Sequence, residues 1–539
     1  MLLGRTCPPA WSRRVAVITV RQPRSARRRR LYLLTGVLLA AFALRVAALG
    51  HKSLWLDEAD SVYFAAHNWR DVVWGLCDPH PPGYYLLLKA AMVVAGRSEY
   101  VVRLTSVFAG VLGVAALARL TRELRALPGP GRRWGDSVRL PEFLPAALLA
   151  VSPLHVWYSQ EARMYALVVL LTLGAANSAA RMMIPRHMDQ AGHATGGDRG
   201  CATLGYALLS TLALLTDQSA AIPLLCIALA CAVAMAARRR WRRLAAWAAV
   251  QSVPVGVYLV WYRTAQHAGT FGPITSYPFT MLRLSLARVT SGMWLAALMA
   301  GLVVVGAGLA SLAVRWVRSG NFGWHRLQAR GLQTLAILML VGYAGGAALA
   351  VVPRLYTVKR LAISVLPYGL LLVAWAMGRL LGRRRRRALV LLLPVALSLV
   401  NATVIPKAPW RTAIATVSSL VEPGDTVWVD ELAVPVYDYY SPASRERTVM
   451  TVSILGCLAA DPPTGDRLWL ITHAGRYRNP FDFLPGLAPV SPATHLAWPG
   501  IDVRAYDAAT LPSDALRPAI PPWAHAWPSP VDEACSSTP

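Results

Sequence analysis

The chain has 539 residues, 55% of them hydrophobic, with a mean hydropathy of +0.41. Its long apolar runs exclude a soluble globular protein and point to a polytopic α-helical membrane protein. The net charge of +28 suggests nucleic acid at first, but the basic residues fall in short clusters between apolar runs, which argues against it and matches the positive-inside pattern.

In chain order, an Arg-rich tail over residues 1–30 precedes the first apolar run. It resembles a signal sequence, but no small-residue cleavage site follows, so residues 31–49 read as an uncleaved first span. Further spans are predicted over 104–118, 141–155, 164–180, 202–216, 219–237, 244–262, 291–314, 331–352, 361–378 and 388–404, about eleven in all. The run Tyr84 to Gly96 is about 13 residues long and contains Lys89. A crossing needs ~20 residues, so this run reads as interfacial. With the N-terminus inside, the inner segments then hold 33 basic residues and the outer loops 12. That asymmetry predicts a cytoplasmic N-terminus and an extracytoplasmic C-terminus.

Residues 50–103 thus form a first external loop. Asp60 or Ser61 is a candidate helix cap there. Val62, Phe64, Trp69, Val72, Val73 and Leu76 at 3–4 spacing predict an amphipathic helix, lying on the membrane or packed on the spans. The catalytic module spans 31–404. Residues 405–539 change character and predict a small extracytoplasmic α/β domain. Its helix runs from Trp410 to Val421 and ends before the turn Pro423-Gly424-Asp425. Short strands are expected at Thr426 to Val429 and Arg467 to Thr472. Cys457 and Cys535 share this domain and are candidates for a disulfide. From Pro512 the chain is Pro-rich and irregular.

Three adjacent acidic pairs occur, Asp57-Glu58, Asp430-Glu431 and Asp532-Glu533, not far above chance. Only the first lies at a membrane edge, where ionised carboxylates are costly and mark function. The other two read as surface acids. Three more polar, aromatic segments are placed on the same outer side: Asp78 to Tyr85, Ser152 to Tyr165, and Pro353 to Arg360.

Leu56-Asp57-Glu58, Asp78-x-His80-Pro81-Pro82 and Ser159-Gln160-Glu161-Ala162-Arg163-x-Tyr165 together resemble the GT-C superfamily of glycosyltransferases. The likeness is to its protein O-mannosyltransferase and aminoarabinose-transferase branch, family 39 and relatives, over roughly residues 31–450. The resemblance implies transfer of a sugar, mannose or similar, from a polyprenyl-phosphate donor to a glycan, lipid or protein acceptor on the outer face of the cell membrane. It makes Asp57 the base that takes the acceptor hydroxyl proton, with Glu58 as its neighbour. One displacement inverts the anomeric centre. Asp78, His80, Gln160, Glu161, Arg163, Tyr165, Lys359 and Arg360 become the substrate and phosphate site, the cations stabilising the leaving phosphate. At His80 the aminoarabinose transferases carry Lys, and the mannosyltransferases His.

Plainer roles stand beside these. Asp57 is also placed to cap a helix, and His80 to be an ordinary loop histidine. Gln160, Glu161 and Arg163 suit a network holding a helix end, and Lys359 and Arg360 suit headgroup contacts. Tyr84, Tyr85, Trp157 and Tyr158 read as interfacial belt aromatics. GxxxxGK[ST], GxGxxG and DxD are absent, as are clustered His or Cys ligands, so no cofactor is expected; a divalent metal at Asp57, Glu58 and Asp78 stays open. The competing readings are a transporter or flippase of lipid-linked sugars, and a scaffold whose outer domain binds wall glycan. Against the transporter, the unusual charges sit at one face and the halves show no repeat.

Overall fold

The computed structural model describes residues 24–74, 80–126, 142–183, 199–236, 239–267, 358–380, 396, 407–430, 433–441, 447–450, 466–473, 484–512 and 515–516. The first long helix, α1 (Arg24–Val46), carries five arginines in its first two turns, an apolar run after them, and Arg45 in its last turn. Four helices among the described residues are long and apolar enough to cross a bilayer: α5 (Glu99–Ala126), α8 (Tyr165–Met183), α10 (Ala221–Ala236) with the short turn before it, and α11 (Trp241–His267). Two more helices pack with them, α9 (Arg199–Leu214) and α12 (Val358–Leu380).

Their outward faces are apolar. Leu33 and Leu39 of α1, Leu204 and Leu208 of α9, Leu225 of α10 and Val260 of α11 are all exposed. Such a continuous apolar exterior is intolerable in water and natural against lipid tails. This is a multi-pass helical membrane protein. Its interior runs along α8, which is rich in Ala, Val and Leu and packs closely on α5. The Nδ2 of buried Asn177 donates to the Ala116 carbonyl of α5 at 2.9 Å, the kind of polar tie that replaces the missing hydrophobic drive inside a bilayer. The predicted spans 291–314 and 331–352, and nearly all of 388–404, lie outside the described residues, as do Cys457 and Cys535.

One expected span is not a single helix. Residues 141–155 yield α6 (Leu144–Ala150), and a second short helix, α7 (Pro153–Ser159), begins immediately after. Pro153 forces the break: it lacks an N–H, and it drives Ser152 to an extended ψ of 120°. The exposed carbonyls at the end of α6 are taken up by Arg45, buried at the end of α1. Its Nη1 donates to the Ala150 carbonyl at 3.0 Å and its Nε to Ser159 Oγ at 3.2 Å, while Nη2 lies 2.6 Å from His155 Nδ1. A buried cation thus caps a broken helix.

The segment 50–103, expected as an external loop, also differs in its helices. The helix starts four residues earlier than Asp60, as α2 (Leu56–Ala66), so Asp57 and Glu58 stand in its first turn, where the helix dipole favours carboxylates. It ends at His67, and Asn68 caps a separate short helix, α3 (Trp69–Trp74), accepting from the Asp71 N–H at 3.0 Å. The short apolar run is α4 (Gly83–Ala95), too short to cross, and Lys89 closes the end of α2 by donating to the carbonyls of Ala65 and His67. Gly83 is required at the start of α4: its N–H donates to the Leu215 carbonyl at 2.7 Å, and a Cβ there would meet the same oxygen at 2.7 Å.

Residues from 407 onward contribute α13 (Trp410–Leu420), α14 (Val434–Tyr440) and a five-stranded sheet: β1 (Thr426–Asp430), β2 (Arg447–Met450), β3 (Arg467–Thr472), β4 (Thr494–Trp498) and β5 (Ile501–Asp507). Its order is β2-β1-β3-β5-β4, with β1 parallel to β2 and β3, and β5 antiparallel to β3 and β4. The period-2 alternation sends Val427, Val429, Trp469 and Ile471 to one face and Trp428, Leu468 and Leu470 to the other. The first face packs on Trp410, Ile414 and Val417 of α13, and on Ala59 of α2. The sheet domain therefore shares a core with the loop that carries α2. Asp430, expected on the surface, is 4% exposed at the end of β1, because β1 is a central strand; its neighbour Glu431 lies outside the described residues.

Candidate active site

The first turn of α2 is fastened by buried ion pairs and hydrogen bonds from several elements. Glu58 is completely buried. Arg103 of α5 grips it bidentately, Nε to Oε1 at 2.7 Å and Nη2 to Oε2 at 2.8 Å. Lys407 Nζ adds 2.8 Å to Oε2. The Ala162 N–H donates to Oε1 at 3.0 Å, and the Trp55 N–H to Oε2 at 3.4 Å, as an N3 glutamate does in a capping box. Burial alone opposes ionisation of Glu58. Lys407 and Arg103 outweigh it and bring the carboxyl down to about 2. The remaining donors of Arg103 go to the carbonyls of Leu49, Lys52 and Ser53, so one guanidinium shapes the whole approach to α2.

Asp57, one position earlier, is half-buried. Its carbonyl accepts from Arg163 Nη1 at 3.1 Å and from Ser61 Oγ at 3.0 Å, and Arg163 Nη1 also donates to Ser61 Oγ at 3.2 Å. The backbone that carries the Asp57 carboxylate is fixed from two sides.

Glu161 sits in the turn between α7 and α8, 1% exposed. Neither of its oxygens has a hydrogen-bond donor among the described residues, and Lys407 Nζ stands 3.6 Å from Oε1, an ion pair too long to be a hydrogen bond. Burial pushes its carboxyl up to about 7; Lys407 pulls it down, while the anions of Glu58 and Asp57 push it further up. A small cavity of about 20 Å³ adjoins it, lined by Lys52, Arg103, Trp157, Gln160, Glu161 and Lys407 among others. That is room for one water molecule, in a polar enough setting to hold it. Lys52 and Lys407 each lie over the Trp157 ring, at 5.6 and 5.5 Å from its centroid. Burial, then Lys407 and Arg103, lower the Lys52 ammonium to about 8.

The structure thus brings Asp57, Glu58, Glu161 and Arg163 together and changes the part some of them play. Glu58, paired with Asp57 as catalytic on sequence, is sealed from solvent and acts as an anchor. Gln160, expected at the substrate, donates through Nε2 to the carbonyls of Leu44, Arg45 and Ala47 and closes the end of α1. Tyr165 is buried against Tyr158, their centroids 4.4 Å apart, so it belongs to the core. Tyr84, Tyr85 and Tyr158 are likewise buried rather than set in a lipid interface belt, and Trp157 lines the cavity. His80 stands half-buried on the turn into α4. Asp78 lies outside the described residues, as do the side chains of Lys359 and Arg360 in the first turn of α12. Among the described residues no three His, Cys, Asp or Glu side chains converge as a metal site requires, and Glu58 is committed to two cations.

Lys407 and Arg103 were not singled out on sequence. Lys407 had a signal: it is one of four lysines in the chain, and it follows the last predicted span directly. Arg103 had none, since it reads as one more flanking charge at the start of a span.

No protein-family profile matches the sequence, and no curated protein matches it. Solved structures do match in overall shape. ArnT from Cupriavidus metallidurans, in the apo state, shares 16% identity over 90% of this chain and 99% of its own, with a TM-score of 0.45. The Archaeoglobus fulgidus oligosaccharyltransferase tethered with an acceptor peptide shares 13% identity over 84% of this chain and 69% of its own, at 0.49. The same organism's AglB in complex with an inhibitory peptide and a dolichol-phosphate shares 12% over 84% and 70%, at 0.47. At such identities and scores, the chemistry of the site has to be read from its own side chains.

Proposed function

We propose that this chain is a membrane glycosyltransferase of the GT-C type that moves a sugar, mannose or a similar one, from a polyprenyl-phosphate donor to an acceptor outside the cytoplasm. The observation that carries the reading is the first turn of α2: Asp57 is half-buried on a backbone clamped by Arg163, beside a Glu58 locked to Arg103 and Lys407. A general base needs that rigidity, because a reacting hydroxyl must be met at hydrogen-bond distance in one orientation. Asp57 takes the acceptor proton as the oxygen attacks the anomeric carbon, and the bond to the donor phosphate breaks on the opposite side with inversion. Arg163 and Lys52, with Lys359 and Arg360 at the mouth of α12, balance the negative charge that builds on the departing phosphate. The distribution of the arginine clusters supports a cytoplasmic N-terminus, with this turn and the sheet domain on the outer side.

Asp57→Asn tests the assignment. The variant keeps its fold and its donor binding and loses at least about a thousandfold in transfer rate, the scale of a general base that is also positioned. Transfer at the wild-type rate ends the reading. Movement of the lipid-linked sugar across proteoliposomes without transfer supports a transporter instead.

A further inference from the structure

Lys407 stands three residues before α13, yet its ammonium reaches the interior of the loop that carries α2. It stands between two buried carboxylates, 2.8 Å from Glu58 and 3.6 Å from Glu161, and over the rings of Trp55 and Trp157 at 5.8 and 5.5 Å. The segment is held there on both sides. Its neighbour Arg411 ion-pairs with Glu99, donating through Nε to Oε1 at 3.1 Å, and donates to the Gly50 carbonyl at 3.2 Å. From α14, Tyr440 donates to the same Glu99 and accepts the Leu54 N–H at 2.8 Å, and Tyr439 donates to the Arg97 carbonyl. Apart from those to Glu161 and Trp157, these contacts join the sheet domain to the loop that carries Asp57.

From this geometry we infer that Lys407 is a positioning residue for the proposed transfer: it bridges Glu58 and Glu161, so that docking of the sheet domain fixes the turn presenting Asp57. The inference rests on the transferase reading for its reaction, and on the bridge alone for its structural half. The two carboxylates receive unlike shares of the bridge. Glu58 has a full hydrogen bond from Lys407 and a second cation in Arg103. Among the described residues, Glu161 has one ion pair, to Lys407 at 3.6 Å, and no hydrogen bond. Its charge state therefore depends on Lys407 more than that of Glu58 does. The other charged groups set about Glu161 are Glu58, Asp57 and Arg163, with Lys52 and Arg103 across the small cavity. Loss of Lys407 removes the cation that acts most strongly on Glu161 and leaves the anions of Glu58 and Asp57 opposed chiefly by Arg163, so Glu161 then holds a proton to higher pH.

The experiment uses the full chain in detergent or nanodiscs. Infrared spectroscopy follows the protonated-carboxyl band that Glu161→Gln removes, and transfer is assayed across pH in parallel. In Lys407→Met the midpoint of that band rises by about one pH unit or more, the usual effect of removing an opposite charge within 4–6 Å. At neutral pH kcat falls about tenfold while the donor KM stays within about threefold, as expected for a group that acts in the transition state and not in donor binding. Lys407→Arg restores both. An unmoved midpoint overturns the bridge, even if activity is lost, because a merely structural residue gives that result. A moved midpoint with unchanged kcat overturns the positioning role. A moved midpoint in a chain whose wild type transfers no sugar from any polyprenyl phosphate leaves the bridge standing and refutes the transferase reading.

Discussion

Replacing Glu58 by Gln is the most demanding test of the site's architecture. The amide is nearly isosteric, so packing changes little, but the charge that two buried cations share disappears. The carboxyl lies at about 2 in the folded protein against 4.5 for a free glutamate. Each pH unit of difference is worth about 1.4 kcal/mol, which gives about 3 kcal/mol of stability carried by the anion at neutral pH. Breaking a buried ion pair by removing one partner costs about 3–5 kcal/mol, because the other charge is left uncompensated. The two routes agree. Thermal and denaturant melts of the purified protein, read by tryptophan fluorescence, measure it, and an Arg103→Met partner closes a double-mutant cycle. The sign with pH is fixed: the folded carboxyl is depressed, so its contribution is complete above 4.5 and fades as pH falls toward 2. Glu58→Gln thus costs most at neutral pH and progressively less in acid. A cost under about 1 kcal/mol at pH 7, or one that does not shrink in acid, refutes the claim that ionised Glu58 anchors the turn.

Glu161→Gln acts in the opposite sense. Its folded carboxyl is raised to about 7, so the protonated acid suits the fold; wild type loses stability as pH rises from 4.5 through 7, and the variant does not. At pH 8 the variant is more stable by up to about 3 kcal/mol and at pH 4 the two match, as pH-dependent melts will show. Gly110→Ala on α5 puts a Cβ 2.3 Å from Ser159 Oγ and 3.0 Å from Arg45 Nε, inside the cap of the broken helix. It costs roughly 1–3 kcal/mol in the same melts. Glu99→Ala removes the shared acceptor of Arg411 and Tyr440, and hydrogen exchange then rises in 407–420 and 434–440 while α8 stays protected.

The sequence carried the parts of this structure that depend on local periodicity. The apolar runs of α5, α8, α10 and α11, the shortness of α4, and strands β1 and β3 follow from hydrophobic pattern and length alone. Pro153 lies in plain view, yet the surrounding apolar residues mask the break it makes between α6 and α7. Arg45, buried at the end of α1, has a meaning only once the carbonyls it caps are next to it in space. The same holds for the site. The Ser159-to-Tyr165 motif marked the right stretch of chain, but side-chain direction decided its chemistry: Gln160 turns to the end of α1, Glu161 to the cavity, and Arg163 to Asp57. Lys407 meets Glu58 across 349 positions, a separation no spacing rule encodes.

Asp57 and Glu58 show how one dipeptide yields two functions. Consecutive residues on a helix point about 100° apart, so a helix lying on a bundle buries one and leaves the other near its edge. α2 lies with Glu58 inward. A buried anion is tolerable only when paired, and Arg103 from α5 and Lys407 from the sheet domain supply the pairing. Those two cations come from different parts of the fold, so the anion that needs them also joins them. Asp57 gains its fixed position from that junction and spends no hydrogen-bonding capacity of Glu58 to obtain it. Exchange of the two residues, Asp57→Glu with Glu58→Asp, keeps composition and net charge. It shortens the inward side chain by one methylene and draws it back from Arg103, Lys407 and the Ala162 N–H together. If the division of labour lies in direction, the exchanged protein loses both stability and transfer; if charge at this edge were enough, it retains both.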